Sequence, residues 1–178
     1  DLPIKTKFAL NDLLHVLTSP NAKAEKVLYA TLANLCSCCV EECDPLGFYI
    51  YCAVTRSLAA QNLLFSGTLG RLLDRKIFKK MICTIDNYGN HYDRILFVGI
   101  TQEILGCTAF LTRRSAFELM EDFCDAFVNM FRNDLADTAY NSHILSQFCE
   151  NLEVLLKNCQ RPAYKPYRGN CNKMFRSL

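Results

Sequence analysis

Apolar residues recur along most of this chain at steps of three and four, the period of a helix buried on one face. Leu10, Leu13, Leu14 and Leu17 form one such stripe, and Leu28, Leu32, Leu35 and Cys39 form a second. At the corner between them, Ser19 can cap a helix and Pro20 can take its first position, where a missing N–H costs nothing. Asp44-Pro45 repeats that arrangement ahead of the mostly apolar stretch from Phe48 to Leu64. The core of this stretch, GFYIYCAV, is rich in aromatic and β-branched residues, so a strand competes there, and the helix is preferred. Leu72, Leu73, Ile77, Phe78, Met81 and Ile82 continue the helical spacing, with Arg71, Arg75 and Lys79 on another face. That basic row reads first as a solvated helix surface and second as an anion-binding ridge.

Asp86-Asn87-Tyr88-Gly89-Asn90 reads as the clearest turn. Ser115 and Glu118 match a capping box, in which each side chain satisfies a helix-start donor of the other. Leu119, Met120, Phe123, Phe127, Met130 and Phe131 then make a stripe that suits core packing first and a docked partner helix second. A last long helix is expected from about Thr138 to Lys157, carrying Ile144, Leu145, Phe148, Leu152, Leu155 and Leu156. The pattern predicts an all-α chain.

The stretch from Leu10 to Ser37 places two apolar helices around a Ser-Pro-Asn corner and ends its second stripe in Leu32-Ala33-Asn34-Leu35. It resembles an armadillo repeat. Phe65 to Leu73 resembles the start of another unit with Ile100-Thr101-Gln102 as its groove turn, and Phe110 to Leu119 a third with Leu145-Ser146-Gln147-Phe148. The resemblance implies a short right-handed α-solenoid of about three irregular armadillo-like repeats over residues 1–157, followed by a basic extended tail over 158–178. Gln102 and Gln147 depart from the family's usual Asn, Ala30 stands where groove tryptophans often sit, and Glu103 replaces an apolar residue. The steps from Asn34 to Gln102 and from Gln102 to Gln147 are 68 and 45 residues, so the reading requires an inserted helix after the first unit.

With 178 residues, 51% hydrophobic and 21% charged, the chain has material for one core. No apolar run reaches the length of a membrane span. The terminus DLPIKTKF has no initiator Met and no signal-peptide core, so the chain is expected to be a segment of a longer protein. Eleven cysteines are an odd number, and Cys36, Cys39 and Cys43 fall on one helix face. They read as packing thiols of a reducing compartment, cytoplasmic or nuclear. A zinc site of Cys36, Cys38, Cys39 and Cys43 is the sharper alternative, and it lacks the usual second CxxC knuckle. No metal and no other cofactor is expected.

Charge is divided unevenly. Of 20 basic and 18 acidic side chains, six basic ones (Lys157, Arg161, Lys165, Arg168, Lys173, Arg176) and no acidic one lie in residues 157–178, leaving 14 and 18 before them. The end is therefore +6 and the body −4. Arg161 to Gly169 is too rich in Pro and Gly for a helix, and its tyrosines alternate with cations as nucleic-acid-binding segments do. A tail folded over the acidic body, or a linker, is the preferred reading of it.

No Gly-rich phosphate loop, HExxH or GxSxG occurs, and His15, His91 and His143 stand without a patterned carboxylate or nucleophile. The chain is read as a non-enzyme. His15 is placed between helices or at the surface.

What remains is recognition. The resemblance implies a scaffold or adaptor that binds a partner protein as an extended peptide or amphipathic helix, with Asn34, Gln102 and Gln147 clamping the peptide main chain. Ala30, Cys38, Val98, His143 and Asn151, one turn to either side, would line its side-chain pockets, and the acidic body would favour a basic or partly apolar ligand. Nucleic acid or an anionic surface held by the basic tail is the alternative, as is self-association.

Overall fold

In the computed structural model, the polypeptide is described over residues 1–20, 24–88, 91–107 and 110–111, and at Glu118, Leu119, Asp122, Ser146, Glu150 and Glu153. Among these residues the secondary structure is helix and turn, without strand. The helices are α1 (Ile4–Thr18), α2 (Glu25–Glu41), α3 (Pro45–Ala60), α4 (Ser66–Leu72), α5 (Arg75–Tyr88) and α6 (His91–Cys107). None is long and apolar enough to cross a membrane.

The expected stripe of α2 is observed: Leu28, Leu32, Leu35 and Cys39 are fully buried. Trimming any of these leucines to Ala should cost about 2–5 kcal/mol, the usual penalty of a cavity in a packed core. α1 packs against the core along most of the face expected, with Leu13 buried and Leu10 and Leu17 half-buried against it. Thr6, Ala9 and Leu13 are its buried residues, and Leu14 is 58% exposed. Thr6 is tolerated inside because Glu42 supplies its partners: the Thr6 amide and hydroxyl donate to Glu42 Oε2 at 3.0 and 3.1 Å. The Lys5 amide donates to Oε1 of the same carboxylate at 3.2 Å. The end of α2 thus caps the start of α1, whose own N-cap residue, Pro3, offers no side-chain acceptor. The two helices are consequently antiparallel.

The corner after α1 also differs from expectation. Ser19 is the C-cap of α1, and α2 starts only at Glu25 behind Ala24, so Pro20 does not open the second helix. Glu25 favours that later start, since an acidic side chain in the first turn complements the helix dipole. It also serves a neighbour, accepting the Phe65 amide at 2.9 Å where α4 begins without a side-chain cap of its own.

Asp44 and Pro45 open α3 as expected, with Asp44 Oδ1 accepting the Gly47 amide at 3.1 Å. The GFYIYCAV segment is helical. Phe48, Tyr51, Cys52, Thr55, Leu58 and Ala59 are buried at helical steps, and Thr55 satisfies its hydroxyl on the Tyr51 carbonyl at 2.7 Å. Gly47 sits where three helices meet: a Cβ there would lie 2.7 Å from Thr6 Cγ2 and 2.9 Å from Cys39 Sγ.

α3 and α6 run parallel. A Cβ on Gly99 would meet the Tyr49 ring at 2.9 Å, and one on Gly106 would collide with the Arg56 guanidinium. Each pair is spaced seven residues along its own helix in the same direction, so glycines on α6 let α3 approach closely. Arg56 Nη1 also reaches Glu103 Oε2 at 3.1 Å across this seam.

The stripe running through Leu72, Leu73, Ile77 and Phe78 is broken between two helices. Leu73 ends α4, and Asp74 opens α5 by accepting the Lys76 amide at 2.7 Å. Asp86, Asn87 and Tyr88, expected in a turn, belong to α5. The capping box at Ser115, the stripe of Phe123, Phe127, Met130 and Phe131, and the boundary at 157/158 lie outside the described residues.

Candidate functional site

α2 buries its leucine stripe, and the neighbouring face of the same helix opens onto a cleft. Tyr29, Ala33, Cys36, Ser37, Val40 and Glu41 line one wall, Arg71 and Leu72 of α4 close an end, and Lys76, Ile77 and Lys80 of α5 form the opposite wall. Tyr51 of α3 reaches in from below. The cleft measures about 420 Å³, within the roughly 300–1,000 Å³ that ligand pockets occupy.

Its floor is apolar and fixed. Cys36, Tyr51 and Leu72 are buried, and the Tyr51 hydroxyl donates to the Leu72 carbonyl. Burial pushes the Cys36 thiol up to about 12 and the Tyr51 phenol well above its ordinary value, so both remain neutral at physiological pH. Half-buried Tyr29, Ala33, Val40 and Ile77 form the walls, and exposed Ser37, Glu41, Arg71, Lys76 and Lys80 form the rim. Arg71 lies over the Tyr29 ring at 4.9 Å from its centroid, a cation–π contact that ties α4 to α2.

The rim carries three cations and one carboxylate. That carboxylate is engaged elsewhere, since Glu41 Oε2 accepts from Lys5 Nζ at 3.0 Å. The basic residues of α5 are divided between two sides. Arg75 donates from Nε and Nη2 to Asp122 at 2.6 and 2.9 Å, and Lys79 reaches the same buried carboxylate at 3.3 Å. Lys76 and Lys80 line the cleft. The row of Arg71, Arg75 and Lys79 is therefore no uniformly solvated surface: two members converge on Asp122 and the third stacks on Tyr29.

The residues expected in a peptide groove are placed as follows. Ala30 and Asn34 are exposed on α2, Cys38 is partly buried beside them, and none of the three lines the cleft. Desolvation and the nearby Glu41 and Glu42 push the Cys38 thiol upward. Gln102 is half-buried on α6, and Val98 is only 6% exposed within the hydrophobic core. Val98 therefore offers no pocket wall: α6 turns this position inward, into the cluster it shares with α3. α2 packs chiefly on α1 and α6 chiefly on α3, so Asn34 and Gln102 stand on helices that are not principal neighbours. His143, Gln147, Asn151 and the tail residues Arg161, Lys165, Arg168, Lys173 and Arg176 lie outside the described residues.

The cysteines expected as packing thiols are observed so at Cys36, Cys39, Cys52 and Cys107, which are buried and free, whereas Cys43 is free and exposed. Among the described residues no group of three or more His, Cys, Asp or Glu side chains could hold a metal ion.

Sequence reasoning missed the cleft, although a signal for it exists. Tyr29, Ala33, Ser37 and Val40 form a mixed small and aromatic row beside the leucine stripe of α2, and Lys76 and Lys80 form an i, i+4 pair beside Ile77. Nothing local says that these two rows face each other. No family model matches this chain, and no curated protein and no solved structure matches it either.

Proposed function

We propose that this chain is a protein–protein interaction module that receives a short segment of a partner protein in the α2/α4/α5 cleft. The observation that carries this reading is the cleft's construction: a neutral apolar floor, half-buried walls and a charged rim. Such a site grips one or two apolar side chains by excluding water and orients the flanking polar groups at its edge. The parts that would perform catalysis are not what this site offers, since its thiol and phenol are neutral and buried and its lysines stand at the rim.

We also read the described helices as part of an irregular armadillo-like solenoid. The parallel stacking of α3 on α6 supports this, because equivalent helices of successive units stack in parallel. On that reading α3, not α2, is the counterpart of α6, and the groove row of Asn34 is displaced from the functional face.

The experiment is a selection of random displayed peptides on the immobilised chain, repeated with Ala33→Trp, which fills the cleft from one wall. Peptides that bind the natural chain and lose binding to Ala33→Trp, at unchanged far-UV circular dichroism, support the reading. Peptides indifferent to that substitution would place recognition elsewhere.

A further inference from the structure

We propose that α1 carries a self-association surface: its exposed face pairs with the same face of a second copy of this chain, antiparallel about Asn11, to give a reversible dimer. This goes beyond the cleft reading and does not depend on it, since no residue of α1 lines the cleft.

Helix α1 is apolar on two sides. One side enters the core through Ala9 and Leu13, with Leu10, Val16 and Leu17 packed against it. The other side carries Ile4, Phe8 and Leu14, which are 68%, 65% and 58% exposed. A helix that is apolar on both sides has the composition of one packed between two bodies, and the core of this chain is only one of them. With 3.6 residues to the turn, Ile4, Lys7, Phe8, Asn11, Leu14 and His15 fall within an arc of about 120°, and all six are exposed. They occupy the a, d and e positions of two successive heptads, with Ile4 and Asn11 at a, Lys7 and Leu14 at d, and Phe8 and His15 at e.

That register selects a second copy as the occupant. Asn11 stands at the middle of the face, and a two-fold axis beside it brings two carboxamides together, each offering the donor and the acceptor that the other needs. A single Asn at an a position fixes register in paired helices for this reason. A foreign helix would have to bring a matched polar group to the same place, whereas the second copy necessarily brings one. The same operation sets Phe8 beside the second copy's His15 and lays Leu14 along the aliphatic stem of its Lys7, so the remaining members of the face also find partners.

Area sets the strength. The exposed parts of Ile4, Phe8 and Leu14 together amount to on the order of 400 Å² of apolar surface, at the size where a patch on a soluble chain marks an interaction site. Pairing two copies covers about 800 Å² of it, below the roughly 1,200–2,000 Å² of stable specific interfaces. The dimer is therefore concentration-dependent, and each copy keeps its own core. It would present two clefts, so that a partner with two suitable segments gains avidity.

Sedimentation velocity of the chain between about 5 and 500 μM tests the proposal. The weight-average mass should rise towards that of a dimer across this range, and Phe8→Glu should weaken association tenfold or more. Leu14→Glu, at the other end of the same face, should do likewise, and circular dichroism reports that each variant keeps its helix content. Asn11→Cys, made together with Cys43→Ser, should be joined to its own counterpart in the second copy by a short bismaleimide, as read by peptide mass spectrometry. A dimer that survives both glutamate substitutions, or that cross-links at other positions and not at position 11, would overturn the proposal. A chain that stays monomeric throughout would overturn it too and leave this face to a different protein.

Discussion

Arg75 donates twice to Asp122, from Nε to Oδ2 at 2.6 Å and from Nη2 to Oδ1 at 2.9 Å. The carboxylate is almost wholly buried, its side chain 3% exposed, and the guanidinium is 40% exposed. A two-point pair of this kind fixes the rotation of α5 about its axis, because the fork and the carboxylate must share a plane. That rotation sets Lys76 and Lys80 toward α2. Replacing Asp122 by Asn should therefore act in two ways. It leaves the buried end of the pair without its charge, at a cost of about 1–3 kcal/mol in thermal or urea unfolding. It should also release Lys79 to solvent and weaken the geometric definition of the cleft, measured as a loss of peptide affinity.

Acid should loosen α2 from its neighbours. The Glu25 carboxylate is held below its ordinary range by the Thr68 hydroxyl, the Phe65 amide and the charge of Arg71. Partial desolvation of Glu42 pulls its carboxylate upward, but the amides of Thr6 and Lys5 and the Thr6 hydroxyl outweigh this and lower it. A depressed carboxylate contributes stability that is complete above its unfolded value, about 4.3, and is lost as pH falls through the folded one. Unfolding midpoints should thus fall below about pH 4.3, and Glu25→Gln with Glu42→Gln should be less stable at neutral pH with a flatter acid limb. An acid limb unchanged by both substitutions would show that the two caps contribute nothing.

Two substitutions only four residues apart should have opposite signs. Gly47→Ala places a methyl against Thr6, Cys39 and Asp44, where three helices converge, and should cost about 1–3 kcal/mol. Cys43 holds φ at 50° just past the end of α2, a conformation that burdens any residue with a Cβ by about 1–2 kcal/mol. Cys43→Gly should consequently stabilise the chain by up to about 1 kcal/mol, the unfolded-state entropy of glycine offsetting part of the relief. Urea midpoints of the two variants check both.

Thiol reactivity should follow burial. Cys36, Cys39 and Cys107 are pushed up to about 12 by their surroundings, and Cys52 is raised well above its ordinary value by complete burial. Iodoacetamide at mildly alkaline pH should label Cys43 well before any of these four, as read by peptide mass spectrometry. Labelling of Cys36 at the rate of Cys43 would mean that the cleft floor opens in solution.

How far the sequence discloses all this depends on the range of each interaction. The α2 stripe and the Asp44-Pro45 start are local, and both are visible in the periodicity and in the capping residues. The buried face of α1 is visible only in part: Leu10, Leu13 and Leu17 pack as their spacing says, whereas Leu14 looks like core and is exposed, and Thr6 is buried because Glu42 arrives from 36 residues away to satisfy it. Likewise the spacing of Leu72 to Phe78 continues across a helix break that Asp74 makes. A groove drawn from a family resemblance placed Val98 at the surface, where tertiary packing buries it. The cleft itself joins residues of four helices that lie up to about fifty positions apart, and no local pattern states that they meet.

The groove and cleft readings differ at single residues. Asn34→Ala should leave peptide affinity and unfolding unchanged within about 0.5 kcal/mol, as for an exposed residue outside a contact. A marked loss of affinity for a selected peptide would restore the carboxamide row.

The most direct measurement is a titration of the isotope-labelled chain with a peptide selected on it, followed through backbone amide shifts. Saturable changes are expected at Ala33, Ser37, Val40, Lys76 and Ile77, on both walls of the cleft, with the exposed row of Ala30 and Asn34 and the α6 positions Val98 and Gln102 little affected. Changes centred on Asn34 and Gln102, with the walls of the cleft silent, would contradict recognition in the cleft.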